Sequence, residues 1–433
     1  MSAPSLVPAA SDAETAAAEV GRNLPGNFAA LLAHGLLGQT GFRLVNAPTF
    51  LPHFASELAG SASGGTILRA IQSFGQFLSP LAAVSVIEHR PYLKRVGIVF
   101  GSAMRLQLLF LALVALFVPS SSFALWLVWL FVGFFGLAQG LQGVAFQVVM
   151  AKVIPIDRRG RLLGLRDVAS GIVLVGVAAI GAFLVERFGF SAGTGYTFLL
   201  AFALTSLGLG AFARVREPAG RDLRPPMRLR ERVRELPALL RAEPEFRRFL
   251  SGRLLASAAR GVLPLYIVWI GRDFGMTGAR LGTFTVIFSL AQSGSTLAWG
   301  WLGDRAGYKR VFQLSTLSGL AGTALLLTSS SVWLASLTYV LVGAGVGGFM
   351  LAGSNLVLEF GTERERAMRI AANNASTELV GMLGFLVAGL LADRVSLRCA
   401  FLVSIGLQAL AIIRVWGMRD PRGRAATPTR SAR

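Results

Sequence analysis

The chain has 433 residues, of which 54% are apolar and 15% are charged, and its formal net charge is +20. Soluble domains carry about 25% charged residues, so this composition excludes an ordinary soluble protein and indicates many membrane-spanning segments. The basic residues lie in short groups between apolar runs instead of on one folded face, which favours a topology signal over a nucleic-acid partner.

The first predicted element is a tail, residues 1–27, which is Ala-rich and mildly polar. It lacks the basic start and apolar core of a signal peptide, and we expect an unstructured cytoplasmic segment. Twelve apolar segments follow, each long enough to cross the roughly 30 Å hydrocarbon layer as a helix. Their predicted bounds are 28–53, 64–87, 96–118, 123–151, 163–186, 193–213, 249–271, 278–302, 310–328, 332–358, 369–392 and 397–417. The sequence therefore predicts an all-α polytopic membrane protein with twelve transmembrane helices.

Two basic polar segments divide and end the chain. Residues 214–248 separate the sixth apolar segment from the seventh, and residues 418–433 follow the twelfth. We predict an N-terminal six-helix bundle over 28–213 and a C-terminal six-helix bundle over 249–417. The segment between them is predicted to be a cytoplasmic linker, and the last segment a cytoplasmic tail.

The distribution of Lys and Arg among the loops predicts the orientation. One set of alternate loops carries 31 of these residues and the other set carries 5. By the positive-inside rule the rich set, which includes both termini, is cytoplasmic. We expect a multi-pass protein of the bacterial inner membrane, embedded in lipid as a monomer.

The two predicted halves repeat each other. "EHRPYLKR" (88–95) aligns with "GDRAGYKR" (303–310), after the second apolar segment of each half. "DRRGRLLGLRDVAS" (157–170) aligns with "ERERAMRIAANNAST" (363–377), and further on Arg187 meets Arg394. Matching cytoplasmic loops in two halves indicate a parallel internal duplication.

The loop "GWLGDRAGYKR" resembles the Gly-x-x-x-Asp-Arg-x-Gly-x-Lys/Arg signature of the major facilitator superfamily. The matching residues are Gly300, Asp304, Arg305, Gly307, Lys309 and Arg310. The resemblance implies that Asp304 holds a cytoplasmic gate against the start of the fifth helix, where Arg159 and Arg161 supply positive charge. In the first copy of the loop Glu88 and His89 replace the Gly and the Asp. The alternative reading is that these loop charges form a solvated surface that sets the topology.

Two arginines fall near the middle of their predicted spans. Arg43 and Arg260 lie in the first and seventh segments, which are equivalent in the repeat and line the central pathway in this superfamily. The organophosphate/phosphate exchangers of the superfamily are similar in placing one Arg on each of these helices. Two guanidinium groups suit a carboxylate or phosphate. Alternatively, each arginine is neutralised by an internal acid such as Asp167, Glu359 or Glu378.

Other polar residues within the spans are further candidates. Gln39, Asn46, Gln139 and Asn374 are predicted to contact the substrate, although each could instead hydrogen-bond a neighbouring helix. Glu378 is the candidate for carrying a coupling proton, with an ion pair to a neighbouring Arg as the alternative. One cysteine and three histidines provide no metal constellation, and we expect no cofactor.

The resemblance implies a secondary transporter that works by alternating access. We predict a small organic anion as substrate, with proton coupling left open. Efflux of amphiphilic, drug-like compounds is the alternative within the class, although the fifth segment lacks the Gly-Pro pair of the drug/proton antiporters.

A non-transporting membrane receptor or an embedded enzyme is the alternative from another class; we expect no enzyme, because no cluster of catalytic residues is evident. There is no Gly-rich phosphate loop, so ATP is not the predicted energy source.

Overall fold

The computed structural model describes residues 10–87, 90–118, 121–219, 238–360 and 366–419, and these contain helices without any strand. The N-terminal half contains α1 (Ala10–Asn46), α2 (Phe50–Ala59), α3 (Ser63–Ile87), α4 (Lys94–Phe117), α5 (Ser122–Val153), α6 (Ile156–Phe188) and α7 (Phe190–Ala213). The C-terminal half contains α8 (Pro244–Ala259), α9 (Leu265–Phe274), α10 (Gly278–Ala306), α11 (Tyr308–Thr328), α12 (Val332–Leu356), α13 (Arg366–Arg394) and α14 (Leu397–Trp416). Short 3₁₀ turns at Arg260–Val262 and Val357–Glu359 follow α8 and α12.

The prediction of an unstructured N-terminal tail is wrong over most of its length. Helix α1 begins at Ala10 and continues without interruption into the first predicted span. The stretch is rich in alanine, which has the highest intrinsic helix propensity, and this favours a helix even where no apolar face is predicted. Glu88, His89, most of the predicted linker and the C-terminal tail from residue 420 lie outside the described residues.

Nine helical stretches among the described residues are long and apolar enough to cross a membrane. They are Lys94–Phe117, Ser122–Val153, Arg158–Phe188, Phe190–Ala213, Pro244–Phe274, Tyr308–Thr328, Val332–Glu359, Met368–Arg394 and Leu397–Trp416. The predicted span 28–53 corresponds to α1 and the start of α2, and the spans 64–87 and 278–302 correspond to α3 and α10. These helices are not among the nine that are long and apolar enough. The prediction of an all-α polytopic membrane protein is confirmed, and the count of twelve spans stays a prediction.

The first and seventh predicted spans are each interrupted before or around a proline. Helix α1 ends at Asn46, and α2 begins only at Phe50, beyond Pro48. Likewise α8 ends at Ala259, and α9 begins after Pro264. A proline removes a main-chain donor and interrupts the helix, leaving carbonyl groups that need other partners. Such breaks occur within membranes where the backbone is covered by protein or lines a cavity.

Main-chain and side-chain contacts define two opposite sides of the bundle. On the linker side, Asn27 hydrogen-bonds Arg216 beyond α7, and Glu245 accepts from the main-chain nitrogen of Arg419 beyond α14. On the far side, the Thr49 and Thr285 hydroxyls lie 2.6 Å apart and join the two halves. These sides correspond to the two sets of loops in the predicted topology.

The apolar core is distributed unequally between the two sides. One cluster of buried residues extends across both halves and includes Phe54, Val185 and Phe284 on the far side. On the linker side each half has a cluster of its own, around Phe212 in the N-terminal half and Phe312 in the C-terminal half. The halves therefore share a core on the far side and have separate cores on the linker side.

Candidate functional site

A cavity of about 340 Å³ lies between the two halves, next to both helix breaks. Helices α1, α3 and α5 of the first half line it, together with α8, α10, α12, α13 and the 3₁₀ turn after α8 in the second half. Its polar and charged lining consists of Arg43, Asn46, Arg69, Gln72, Ser73, Gln76, Gln139, Ser257, Arg260, Ser289, Gln292, Thr377 and Glu378. The charged lining is three arginines and one glutamate, so the cavity has an excess of positive charge.

A second cavity, of about 590 Å³, adjoins the first. Both are lined by Arg43, Asn46, Gln139, Gln292 and Met350. The second cavity adds Gln39, Thr296 and Ser354, each about one helical turn closer to the linker side than a shared residue. The central cavity therefore continues toward the linker side.

Arg43 lines both cavities and is also paired with an acid. Its Nη2 lies 3.2 Å from Asp167 Oδ1, and its Nη1 donates to the main-chain carbonyl of Asp167 at 3.2 Å. The Arg43 side chain is 17% exposed, so part of the guanidinium still faces the cavity. The structure thus places Arg43 at the cavity and in the ion pair with Asp167 that the sequence offered as the alternative.

Arg260 differs from Arg43 in having no hydrogen-bonded acid partner, although the Glu378 carboxylate interacts with its charge. Its side chain makes no hydrogen bond or salt bridge to another residue that the structure describes, and its buried Nε is unsatisfied. The guanidinium lies over the Phe349 ring, 4.6 Å from the centroid, a cation–π contact that holds it in place. Arg260 is therefore the described cavity arginine whose charge is available to a ligand.

Arg69 is a cavity residue that the sequence did not single out as a site residue. Its Nη2 donates to the main-chain carbonyls of Asn46 and, at 3.1 Å, Ala47, which the break after α1 leaves free. Its Nη1 donates to Gln72 Oε1 at 2.7 Å. The spacing of Arg69, Gln72 and Gln76 on one helix face was the signal that could have identified it.

The amide candidates fall into two groups. Asn46 and Gln139 line the central cavity and belong to one network: Gln72 Nε2 donates to Asn46 Oδ1 at 2.9 Å and to Gln139 Oε1 at 3.1 Å. Gln39 lines the second cavity and accepts a hydrogen bond from Ser170. Asn374 is exposed and accepts from Asn373, outside the described lining of both cavities.

Glu378 lies in the central cavity, opposite the first half. Its carboxylate lies opposite Ser73 of α3 across the cavity and interacts electrostatically with Arg260 and Arg253. Arg253, 6% exposed, is outside the described cavity lining: its Nε donates to Thr377, and its Nη1 donates to the carbonyl of Phe349. Glu378 is therefore the carboxylate that faces both the ligand space and the guanidinium of Arg260, without a salt bridge between the two.

The signature loop joins α10 to α11 on the linker side. Asp304 accepts a hydrogen bond from Tyr308 at 3.2 Å, Arg305 stacks on Trp301, and Arg310 is exposed. Gly307 ends α10 with a φ of +85°, a conformation that other residues rarely adopt, which explains a glycine there. Lys309 donates to main-chain carbonyls beyond α14, and a side chain at Gly300 would meet open space.

The arginines predicted to face Asp304 lie at the start of α6. Arg159 donates to the main-chain carbonyls of Ile154 and Ala151, at 2.8 and 2.6 Å, and Arg161 is exposed. In this conformation Arg159 thus caps the end of α5 within its own half. The gating role of these residues stays a prediction.

Comparison with known proteins supports the class that this fold defines. The family model described as Major Facilitator Superfamily matches residues 249–433. The crystal structure of nucleoside transporter NupG superposes with a TM-score of 0.69 at 12% identity, covering 90% of this chain and 98% of that one. The chain is thus a multi-pass membrane protein with the fold of the major facilitator superfamily, and the resemblance seen in the signature loop is confirmed.

Two curated relatives are similar over part of the sequence. The methyl viologen resistance protein SmvA of Salmonella typhimurium is 30% identical over 162 residues, which are 35% of this chain and 32% of that protein. The voltage-gated purine nucleotide uniporter of Homo sapiens is 30% identical over 172 residues, 39% of each chain. The matches span about a third of the length of these relatives.

Proposed function

We propose that the protein is a secondary active transporter of a small organic anion. The observation that carries the proposal is the charge of the cavity between the halves, whose described lining has three arginines, Arg43, Arg69 and Arg260, and one acid, Glu378. A cavity at the junction of two repeated halves is where such folds bind their substrate. Guanidinium groups from both halves can each donate to a carboxylate or phosphate.

The distribution of contacts supports alternating access. The halves share a core on the far side, and the cavity continues toward the linker side. With the linker side cytoplasmic, as the distribution of Lys and Arg predicts, this conformation is inward-facing. Rocking of the halves about the central cavity would close the linker side, where Asp304 is the proposed gate residue, and open the far side.

The two curated relatives point to opposite substrate charges. Purine nucleotides are anions, whereas methyl viologen is a dication, and the methyl viologen resistance protein favours the alternative of efflux. Three arginines repel a dication, and burial strengthens the repulsion because the local dielectric constant is low. The cavity charge therefore favours the anion.

Glu378 is the proposed proton carrier. A carboxylate beside Arg260 competes with an anionic substrate for the same guanidinium. When the substrate occupies Arg260, a protonated Glu378 avoids the repulsion between two neighbouring negative charges. Proton and anion would then move together, and Glu378→Gln would transport the anion without a proton gradient.

Binding and uptake by purified protein test the proposal. Thermal stabilisation is measured with inorganic phosphate, a nucleoside monophosphate, a dicarboxylate and methyl viologen, followed by proteoliposome uptake of the solutes that stabilise. We expect stabilisation by one of the anions, lost in Arg260→Gln and Arg69→Gln and retained in Arg414→Gln. Arg414 is the matched control because it lies in α14, exposed and outside the cavity. Stabilisation by methyl viologen alone would overturn the anion proposal and favour the efflux alternative.

A further inference from the structure

We propose that Glu186 and Asp393 form a paired latch that holds the two halves together on the far side. Each carboxylate accepts a hydrogen bond from the main-chain nitrogen at the start of a helix in the opposite half. The latch rests on the alternating-access part of the proposed function and is independent of the substrate class.

The first member of the latch runs from the first half to the second. Glu186 lies in the last turn of α6, and its Oε1 accepts from the main-chain nitrogen of Ala279 at 3.0 Å. Ala279 is the second residue of α10, so its N–H is one of the four that a helix start leaves without an internal partner.

The second member runs in the opposite direction. Asp393 lies in the last turn of α13, and its Oδ1 accepts from the main-chain nitrogen of Ser63 at 3.2 Å. Ser63 is the first residue of α3. A negative charge at a helix start also interacts favourably with the helix dipole, so each carboxylate contributes both a hydrogen bond and a charge–dipole attraction.

The internal repeat relates these two interactions. The alignment that places Arg187 on Arg394 also places Glu186 on Asp393, and both precede that arginine directly. Their partners begin α10 and α3, helices that precede the two repeated signature loops. Each half therefore supplies one carboxylate and one helix start, and the two interactions are equivalent by the pseudo-symmetry of the fold.

Small residues bring the helix ends close enough for these bonds. A side chain added at Gly278 would collide with the main-chain carbonyl of Ala182, one turn before Glu186. A Cβ added at Gly389, one turn before Asp393, would lie 3.1 Å from Ser63 Cβ. Close approach at both crossings shows that the far-side ends of the halves are packed together, with the carboxylates at the rim.

Opening of the far side must break both interactions. Each carboxylate is solvent-exposed, so each contributes modestly and salt weakens it. A charge at a helix start of this kind changes an equilibrium by roughly two- to fivefold. Both interactions must break in the same movement, so their effects on the equilibrium between the closed and open far side multiply. The latch therefore favours the conformation in which the far side is closed.

Distance measurements between spin labels test the latch without any substrate. The background is Cys399→Ser, and labels are placed at Ser122→Cys in the first half and Ser330→Cys in the second, two exposed far-side positions. We expect Glu186→Gln and Asp393→Asn each to increase the population with the longer label distance by roughly two- to fivefold, and the double variant to show about the product.

The matched control is Glu57→Gln. Glu57 is an exposed far-side acid whose neighbour His53, 4.0 Å away, lies in its own half. A double variant with the distance distribution of Glu57→Gln would overturn the proposal. If the double variant does not fold, the salt dependence of the unsubstituted protein decides: high salt should shift it toward the longer distance, and a distribution independent of salt would overturn the latch.

Discussion

Lys94 and Lys309 make the same interaction in the two halves of the protein. Lys94 Nζ donates to the main-chain carbonyl of Val215, beyond α7, at 2.9 Å. Lys309 Nζ donates to the carbonyl of Met418, beyond α14, at 2.6 Å. Each ammonium neutralises the carbonyl end of the last helix of its half. The lysine of the signature loop therefore has a structural role, even in the first copy, where the Gly and the Asp are replaced.

We predict that Lys94→Met and Lys309→Met each decrease stability by about 1 kcal/mol, because each leaves helix-end carbonyls without a cation. Unfolding of the purified protein in mixed micelles measures the effect. Arg310→Met, which changes the exposed neighbouring cation, is the control and should leave stability unchanged. Equal losses in Lys309→Met and Arg310→Met would show that only the net charge of the loop matters.

The sequence predicted those features that depend on hydropathy and on the repeat. Long apolar runs indicate the spans, matching loops pair Lys94 with Lys309, and equivalent spans pair Arg43 with Arg260. Depth in a span follows from counting residues, so the position of both arginines at a central cavity was predictable.

Features that depend on helix rotation and on helix breaks were not predictable in this way. Arg69 reaches the cavity because α1 is broken at Ala47 and offers it free carbonyls. Asn374 lies at the depth of the cavity but is exposed on a face of α13 that does not line it. The latch depends on how closely two helix ends approach each other. A glycine at position 278 permits a close approach, but the sequence does not indicate that Ala182 is the residue that approaches it.

The crossing of α3 and α5 predicts a strong effect of one added methyl group. A Cβ at Gly136 would collide with the main-chain carbonyl of Gln72, whose side chain belongs to the amide network of the cavity. We expect Gly136→Ala to lower stability by about 1–3 kcal/mol and to weaken anion binding, because α3 must move and take Arg69 with it.

Gly143→Ala is the control for this prediction, since it adds the same methyl group to the same helix with no atom within 4 Å. Unfolding in micelles and anion-dependent thermal stabilisation measure the two effects. A Gly136→Ala protein that binds the anion as well as Gly143→Ala does would show that the position of α3 tolerates the shift.

Glu217 is predicted to be the most stability-sensitive acid on the linker side. Its side chain is 2% exposed, and it accepts from the main-chain nitrogens of Leu93 and Lys94 and, at 2.8 Å, from Lys152 Nζ. Glu217→Ala leaves Lys152 unpaired and the start of α4 uncapped, so we expect a loss of about 3–5 kcal/mol.

The matched variant Glu217→Gln keeps the shape and one acceptor, and should lose less than Glu217→Ala. Glu245→Ala is the comparison in the second half, where an exposed Arg248 is the ion-pair partner and a smaller loss is expected. Unfolding in mixed micelles ranks the three variants by stability. Glu217→Ala and Glu245→Ala of equal stability would contradict the argument from burial.

Arg43 and Asp167 allow the two roles of Arg43 to be separated by a double-mutant cycle. Arg43→Gln removes the cation that is bonded to Asp167, and Asp167→Asn leaves Arg43 without its acid partner beside the cavity. We expect each single variant to be less stable than the double variant Arg43→Gln/Asp167→Asn, with a coupling of about 0.5–3 kcal/mol.

Anion binding should follow a different order: it is retained in Asp167→Asn, which frees the guanidinium, and lost in both variants that lack Arg43. Micelle unfolding measures stability, and anion-dependent thermal stabilisation measures binding. If the double variant recovers binding together with stability, Arg43 serves only to join α1 to α6, and Arg69 and Arg260 alone form the anion site.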